Sequence, residues 1–123
     1  MLSNAQRARE IYDSGFVVAV NEPKVQKPTS YVLYQNYPNP FNPSTKIQYE
    51  IPATSDVTLN IYDVLGRKVA TLVNERKSAG HYEVEWDASH FASGVYFYQI
   101  TARQTDGGQA GNFFSVKKTI LLK

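Results

Sequence analysis

The residues best suited to catalysis lie between positions 81 and 93. They are His81, Glu85, Asp87, Ser89, His90 and Ser93. A nucleophilic serine needs a neighbouring base, and the base in turn needs a group that orients it. Neither serine lies in a recognisable nucleophile elbow, His81 opens a predicted strand, and His90 lies in a polar turn. We therefore expect structural or solvent roles for these side chains, and no enzymatic activity.

Metal and cofactor sites have equally little support. His81, Asp87 and His90 lack the spacing of known zinc ligands. Asp56 and Asp63 occupy predicted turns, where carboxylates usually accept backbone N–H groups, and too few further oxygens are present for calcium. The chain has no cysteine, which excludes disulfides and thiolate chemistry, and no glycine-rich phosphate loop. No cofactor is expected.

Composition and charge argue against nucleic acid and membrane as partners. The net charge of +2 is too small to indicate nucleic-acid binding. Tyr98 and Arg103, if exposed, could contact RNA or sugars, but nothing clusters such residues. The longest apolar run, residues 16–20, is far too short to span a bilayer, so no membrane insertion is expected. The first residues show no basic start followed by an apolar core, so we expect no secretory leader within this sequence and, for an exported protein, a leader further upstream.

Residues 1–30 are predicted to be an upstream tail and linker. Residues 3–12 could form a short helix that ends at Gly15, and residues 16–20 could form a strand. Residues 21–30 are polar and contain two prolines, which favours a semi-extended connector.

Residues 35–45, with the sequence QNYPNPFNPST, are the segment that organises the rest of the chain. Three prolines within six residues prevent a helix or a central strand from passing through. We expect Tyr37 and Phe41 to dock on a core, and the amides of Asn39 and Asn42 to close local turns. The segment is therefore predicted to be a rigid, turned entry to a folded domain.

Beyond this segment the hydrophobic period is two, which predicts β-strands. The predicted strands are residues 46–51, 57–62, 69–73, 81–86, 95–101 and 113–123. Trp86 should be the largest core anchor. The intervening segments read as turns or loops: residues 53–56, a hairpin at 63–67 with Gly66 at positive φ, a charged loop at 74–80, a helical turn at 87–90 capped by Asp87, and a glycine-rich loop at 105–112. This pattern predicts an all-β antiparallel sandwich of about seven strands.

Five motifs occur in an order that resembles a known family. They are residues 35–45, residues 61–67 (IYDVLGR), residues 79–81 followed by Trp86 and Asp87, residues 93–98 (SGVYFY) and residues 117–123 (KKTILLK). Together they resemble the C-terminal sorting domain of the type IX secretion system, type A, over about residues 31–123. The resemblance implies an immunoglobulin-like sandwich, distantly similar to a domain of the flagellar hook-capping protein.

The resemblance also implies a role and partners. The domain would direct an upstream passenger through the periplasm to an outer-membrane translocon, and so to the cell surface or the medium. A sortase-like protease would then usually remove it. The residues implied for translocon recognition are Gly94, Tyr96, Lys117, Lys118, Ile120, Leu122 and Lys123. The implied structural motif comprises Asn36, Pro38, Asn39, Pro40, Phe41, Asn42, Pro43, Asp63, Gly66, Arg67 and Trp86.

Physical reasoning about the last strand leaves two interpretations open. Lysines around residues 120–122 could offer an edge that a receptor binds by strand addition or by clasping the terminal carboxylate. They could equally keep an ordinary closing strand soluble. Gly94 and Tyr96 match a Gly-x-Tyr element whose role could be folding alone.

Two further functional hypotheses remain. A carbohydrate-binding or adhesive sandwich of a secreted enzyme would use Tyr96 and Tyr98 to stack on sugar rings. An assembly scaffold is a third possibility by analogy of fold.

Overall fold

The computed structural model describes residues 28–105 and 111–123, which form seven β-strands. The strands are β1 Val32–Leu33, β2 Ser44–Ile51, β3 Ser55–Tyr62, β4 Lys68–Lys77, β5 Gly80–Asp87, β6 Gly94–Gln104 and β7 Asn112–Leu121. Within the described ranges there is no helix that could cross a membrane. The helix predicted at residues 3–12, the strand at 16–20, most of the connector, and residues 106–110 of the glycine-rich loop lie outside these ranges.

The strands form two antiparallel sheets, as the sequence predicted. One sheet has the order β1-β2-β5 and the other the order β4-β3-β6-β7. The chain passes from one sheet to the other after β2, after β4 and after β5. Crossings of this kind produce the Greek-key connections of immunoglobulin-like sandwiches. The predicted all-β sandwich of seven strands is confirmed.

The core lies between the inward faces of the two sheets. Alternate residues of β2 and β3 are buried, in agreement with the hydrophobic period of two in the sequence, and β6 adds a third buried row. The members of these rows are Ile47, Tyr49, Ile51, Val57, Leu59, Ile61, Tyr96, Tyr98, Ile100 and Ala102. Because successive strand residues point to opposite faces, each row faces the core along its whole length.

Two predicted connections differ from what the sequence indicates. Residues 74–77 continue β4, where they pair with residues 55–58 of β3, so only Ser78 and Ala79 remain as a turn. The charged residues are tolerated because β4 is an edge strand with side chains in water; Arg76, for example, pairs with Asp56 at 3.1 Å. The predicted helical turn after Asp87 is a simple turn. Its cap is nevertheless present, since Asp87 Oδ1 accepts the Ser89 N–H at 3.0 Å.

Candidate functional site

The hairpin between β3 and β4 is held by one carboxylate. Asp63 Oδ1 accepts the backbone N–H groups of Leu65 and Arg67 at 2.9 and 3.0 Å, and Asp63 Oδ2 accepts Arg67 Nε at 2.8 Å. The bond from the Arg67 backbone, helped by its guanidinium, holds the pKa of Asp63 below its ordinary value. Gly66 has a φ of 82°, as predicted. Asp63, Gly66 and Arg67 therefore define a turn whose tip presents Val64 and Leu65 to solvent.

Trp86 is the centre of an aromatic cluster at one end of the core. Its exposed fraction is 2%, and its ring lies 5.4 Å from Phe41, 5.4 Å from Tyr96 and 5.6 Å from Phe91. The predicted anchor role is consistent with this burial. The Tyr96 hydroxyl donates to the Ala92 carbonyl at 2.7 Å. Tyr96 thus faces the core, so its ring is not available to a partner.

Asn36 joins the entry segment to two strands that lie far apart in sequence. Its buried Nδ2 donates to Thr119 Oγ1 of β7 at 2.6 Å and to Thr45 Oγ1 of β2 at 2.9 Å. Its backbone N–H donates to the Tyr98 hydroxyl at 2.8 Å, and burial raises the pKa of Tyr98 to about 12. Such a buried polar group is stable only when its hydrogen bonds are made.

The entry segment then runs along the outer edge of β7. Phe41 N–H donates to the Ile120 carbonyl at 2.9 Å, and Leu122 N–H donates to the Phe41 carbonyl at 3.0 Å. Asn39 Oδ1 accepts the Ile120 N–H at 3.1 Å, and Gln35 Nε2 donates to the Lys118 carbonyl at 2.8 Å. The edge of β7 is therefore covered from residue 118 to residue 122.

These contacts confirm some predictions for residues 35–45 and correct others. Phe41 is buried, as expected, but Tyr37 is 80% exposed, so the prediction that both aromatics dock on the core was wrong. Tyr37 exchanges backbone hydrogen bonds with Lys46, which holds its main chain while its ring faces water. Asn39 bonds across to β7 rather than closing a local turn. The motif members Pro38, Pro40, Asn42 and Pro43 are exposed.

The residues implied for translocon recognition divide into two groups. Gly94 and Tyr96 lie opposite Leu121 and Thr119 in the β6–β7 ladder, and Tyr96 is buried. The members of β7 and its extension are more accessible: Lys118, Leu122 and Lys123 are exposed, and Lys117 and Ile120 are half-buried. Lys123 is also tied down, since its Nζ donates to the Ser89 carbonyl at 2.7 Å and its N–H to Ser93 Oγ at 2.9 Å.

Sequence reasoning missed three residues that hold this site together: Thr45, Thr119 and Leu121. Thr45 lies on the same face of β2 as Ile47, and Thr119 lies on the same face of β7 as Leu121. Strand alternation could therefore have marked both threonines as inward-facing. Nothing in the local sequence could have identified Asn36 as their partner.

The aromatic side chains proposed for sugar stacking and RNA contact are in the wrong place. Tyr96 and Tyr98 both point into the core, and Tyr98 is fully buried, so neither ring can stack on a ligand. The residues of the described ranges also contain no cluster of His, Cys, Asp and Glu able to hold a metal. His81 instead lies 3.1 Å from the carboxylate of Glu50 on the outer face of the three-stranded sheet.

Comparisons with known proteins agree with this architecture. No curated protein matches the chain. One solved structure, dimeric latent PorU from Porphyromonas gingivalis, matches 86% of this chain with a TM-score of 0.57 and 22% identity. The matched region is 10% of that chain. Because the identity is low, the likeness shows a shared fold and nothing more. A model of the secretion system C-terminal sorting domain matches residues 35–109. The chain therefore belongs to the family of C-terminal sorting domains, which are sorting signals for type IX secretion.

Proposed function

We propose that residues 31–123 are the sorting domain proper, and that residues 1–30 connect it to an upstream passenger. The domain would bring that passenger from the periplasm to an outer-membrane translocon. A sortase-like protease would then separate the two at the cell surface. The family match over residues 35–109 and the folded body that begins at β1 support this division.

The observation that carries the proposal is the arrangement of the last strand. Lys118 and Leu122 are exposed on the same outer face, and Ile120 lies half-buried between them. Lysine and leucine side chains so arranged can supply both a charged and an apolar contact to a receptor. We assign recognition to Lys117, Lys118, Ile120, Leu122 and Lys123. Gly94 and Tyr96 act by shaping the ladder beside them. This role needs no catalysis by the domain.

Export of a reporter tests the proposal. The full 123-residue chain is fused behind a periplasm-directed fluorescent protein in a host that has the secretion system. The double variant Lys118→Glu, Leu122→Ser changes two exposed side chains and leaves the core intact. Its surface-located fluorescence should fall at least about tenfold, because an interfacial charge reversal and a lost apolar contact each cost roughly 1 kcal/mol or more.

The matched control is Lys68→Glu, Leu65→Ser, which changes the same residue types at the exposed β3–β4 hairpin. It should export normally. Normal export of the tail variant, or equal loss in both variants, would contradict the assignment. Deleting residues 117–123 is a poorer test, since Thr119 and Leu121 are fully buried and their loss would unfold the domain.

A further inference from the structure

Among the described residues, nothing pairs with the outer edge of the first half of β7. Ile120 and Leu122 direct their backbone groups away from β6, as their bonds to Phe41 show. The β6–β7 register runs without a shift. In such a ladder every second residue directs its backbone N–H and C=O groups toward the same side of the strand. Phe114 and Val116 therefore also direct N–H and C=O outward. No group among residues 28–105 and 111–123 pairs with them.

The side chains along this edge are apolar and exposed. Phe114 is 63% exposed and Val116 is 45% exposed. Their neighbours across the ladder on the outer face of β6 include Phe97, which lies opposite Lys118, and Val95, which lies opposite Ile120. Both are half-buried. An apolar stripe beside unpaired backbone groups is the combination that natural sheets usually avoid, unless a partner covers it.

The other long edge strands are protected in the usual way. β4 carries Glu75, Arg76 and Lys77 next to one another, and every second residue of β5 from His81 to Asp87 is ionisable. Such charges discourage pairing with another chain. Residues 113–116 of β7 carry none. Among the long edge strands, the absence of this protection is thus confined to β7.

The β6–β7 hairpin is also purely basic within the described residues. Arg103, Lys117, Lys118 and Lys123 lie on it or just beyond it, whereas the acidic side chains of the described ranges all lie elsewhere. A partner of opposite charge would be drawn to this side of the sandwich.

We propose that an extended, acidic segment of a secretion-system component adds as a strand to β7 at residues 114–118. The segment would place apolar side chains on the face of Phe114 and Val116 and, alternating with them, carboxylates on the opposite face, where Lys117 lies. Main-chain hydrogen bonds would supply affinity and the alternation would supply specificity. This inference rests on the proposed sorting function and names how the tail is read.

The structure also limits how far the added strand can extend. Gln35 already occupies the Lys118 carbonyl, and Asn39 and Phe41 occupy the groups of Ile120 and Leu122. The partner can therefore pair with Phe114, Val116 and the Lys118 N–H, and must end there. The site is therefore short, with three residues of β7 available for pairing. The entry segment fixes where the added strand must end, and so fixes its register against β7.

Fluorescence anisotropy with two labelled ten-residue probes tests the proposal on the full chain. One probe alternates Val and Glu and the other alternates Val and Lys. The acidic probe should bind at least about tenfold more tightly, with affinity that falls as salt rises. Val116→Pro removes an outward N–H while leaving the β6–β7 ladder intact, and should weaken binding at least about tenfold. Val116→Thr, which keeps the N–H, should bind within about threefold of the original chain.

Two further variants keep the test decisive if Val116→Pro does not fold. Lys117→Glu with Lys118→Glu should reverse the preference toward the Val/Lys probe. Equal binding of both probes, or full binding by a folded Val116→Pro chain, would overturn the proposal. A dimer by sedimentation that Val116→Pro abolishes would also overturn it, because a second copy would then occupy the edge. Probe binding that appears only after residues 1–27 are removed would assign the edge to that segment instead.

Reporter export separates this inference from the sorting function itself. Normal export of folded Val116→Pro, together with loss of export in the Lys118→Glu, Leu122→Ser variant, would refute strand addition and retain the sorting role. Normal export of both would refute both. Loss of export with Val116→Pro but not with Val116→Thr supports strand addition.

Discussion

At the scale of single residues, the fold depends on a few side chains that connect distant segments. Asn36 is one of them, because its amide bonds to hydroxyls of Thr45 and Thr119 inside the protein. Those hydroxyls retain other partners: Thr45 donates to the Pro38 carbonyl at 2.8 Å, and Thr119 lies 3.4 Å from Asn39 Oδ1. The amide thus joins β2, β7 and the entry segment in one network, in which bonds reinforce one another.

Asn36→Ala should lower the free energy of unfolding by about 1–3 kcal/mol, because several bonds to a buried amide are lost without replacement. Urea denaturation followed by tryptophan fluorescence measures the change. Asn42→Ala is the matched control, since Asn42 lies in the same segment and is exposed. It should change stability by less than about 0.5 kcal/mol. Equal effects of the two variants would contradict the network.

Trp86→Ala should cost roughly 3–5 kcal/mol, because the indole fills the space between Phe41, Phe91 and Tyr96. Thermal melting by circular dichroism would show the loss. Tyr37→Ala removes the most exposed aromatic ring of the described ranges and should leave the melting temperature nearly unchanged. A small effect of Trp86→Ala would mean that the cluster is not the anchor described here.

At the scale of elements, the hairpin between β3 and β4 depends on one backbone conformation. Gly66→Ala should destabilise the domain by about 1–2 kcal/mol, because φ of 82° is costly for a residue with a Cβ, although nothing would clash with it. Gly80→Ala serves as control, since its added Cβ would meet only the Tyr82 ring at an ordinary 3.6 Å. The difference in urea midpoint between the two variants is the measurement.

The same hairpin should respond to pH through Asp63. Its pKa is lowered in the folded state, so its contribution to stability is present above the ordinary carboxyl pKa of about 4 and is lost as pH falls through the folded value. The stability difference between the original chain and Asp63→Asn should therefore shrink from pH 7 toward pH 2. Paired urea titrations would show it, and a difference that stayed constant would contradict the assignment.

At the scale of the whole molecule, sequence patterns predict the strands better than their partners. Alternation identifies the inward rows of β2 and β3 because each residue's face depends only on its neighbours. It cannot reveal that Asn36 meets Thr119, since that contact spans 83 residues of sequence. For the same reason Tyr37 and Phe41 look equivalent in the sequence, although only Phe41 reaches the core. Tyr96 and Tyr98 lie on the same face of β6 as Ile100, so strand alternation predicts that they are buried with it. The sugar-binding hypothesis did not take this alternation into account.

The tail is also predicted to be essential to the fold. Removing residues 117–123 should abolish cooperative unfolding, because it deletes buried Thr119 and Leu121 and the backbone partners of Phe41. Removing Lys123 alone should lower the melting temperature by only a few degrees, because the domain then loses two exposed hydrogen bonds. Near-ultraviolet circular dichroism of Trp86 distinguishes the two outcomes. A cooperative transition in the longer deletion would show that the first six strands suffice.

The pairing of Phe41 with the final strand has a consequence during synthesis. A ribosome makes residues 35–41 long before it makes residues 118–122, so a nascent chain holds one half of the contact without the other. The domain can close only after translation has passed its last buried residue, Leu121. An export machine that accepts the closed form alone would thereby reject every prematurely terminated product, with no separate inspection step.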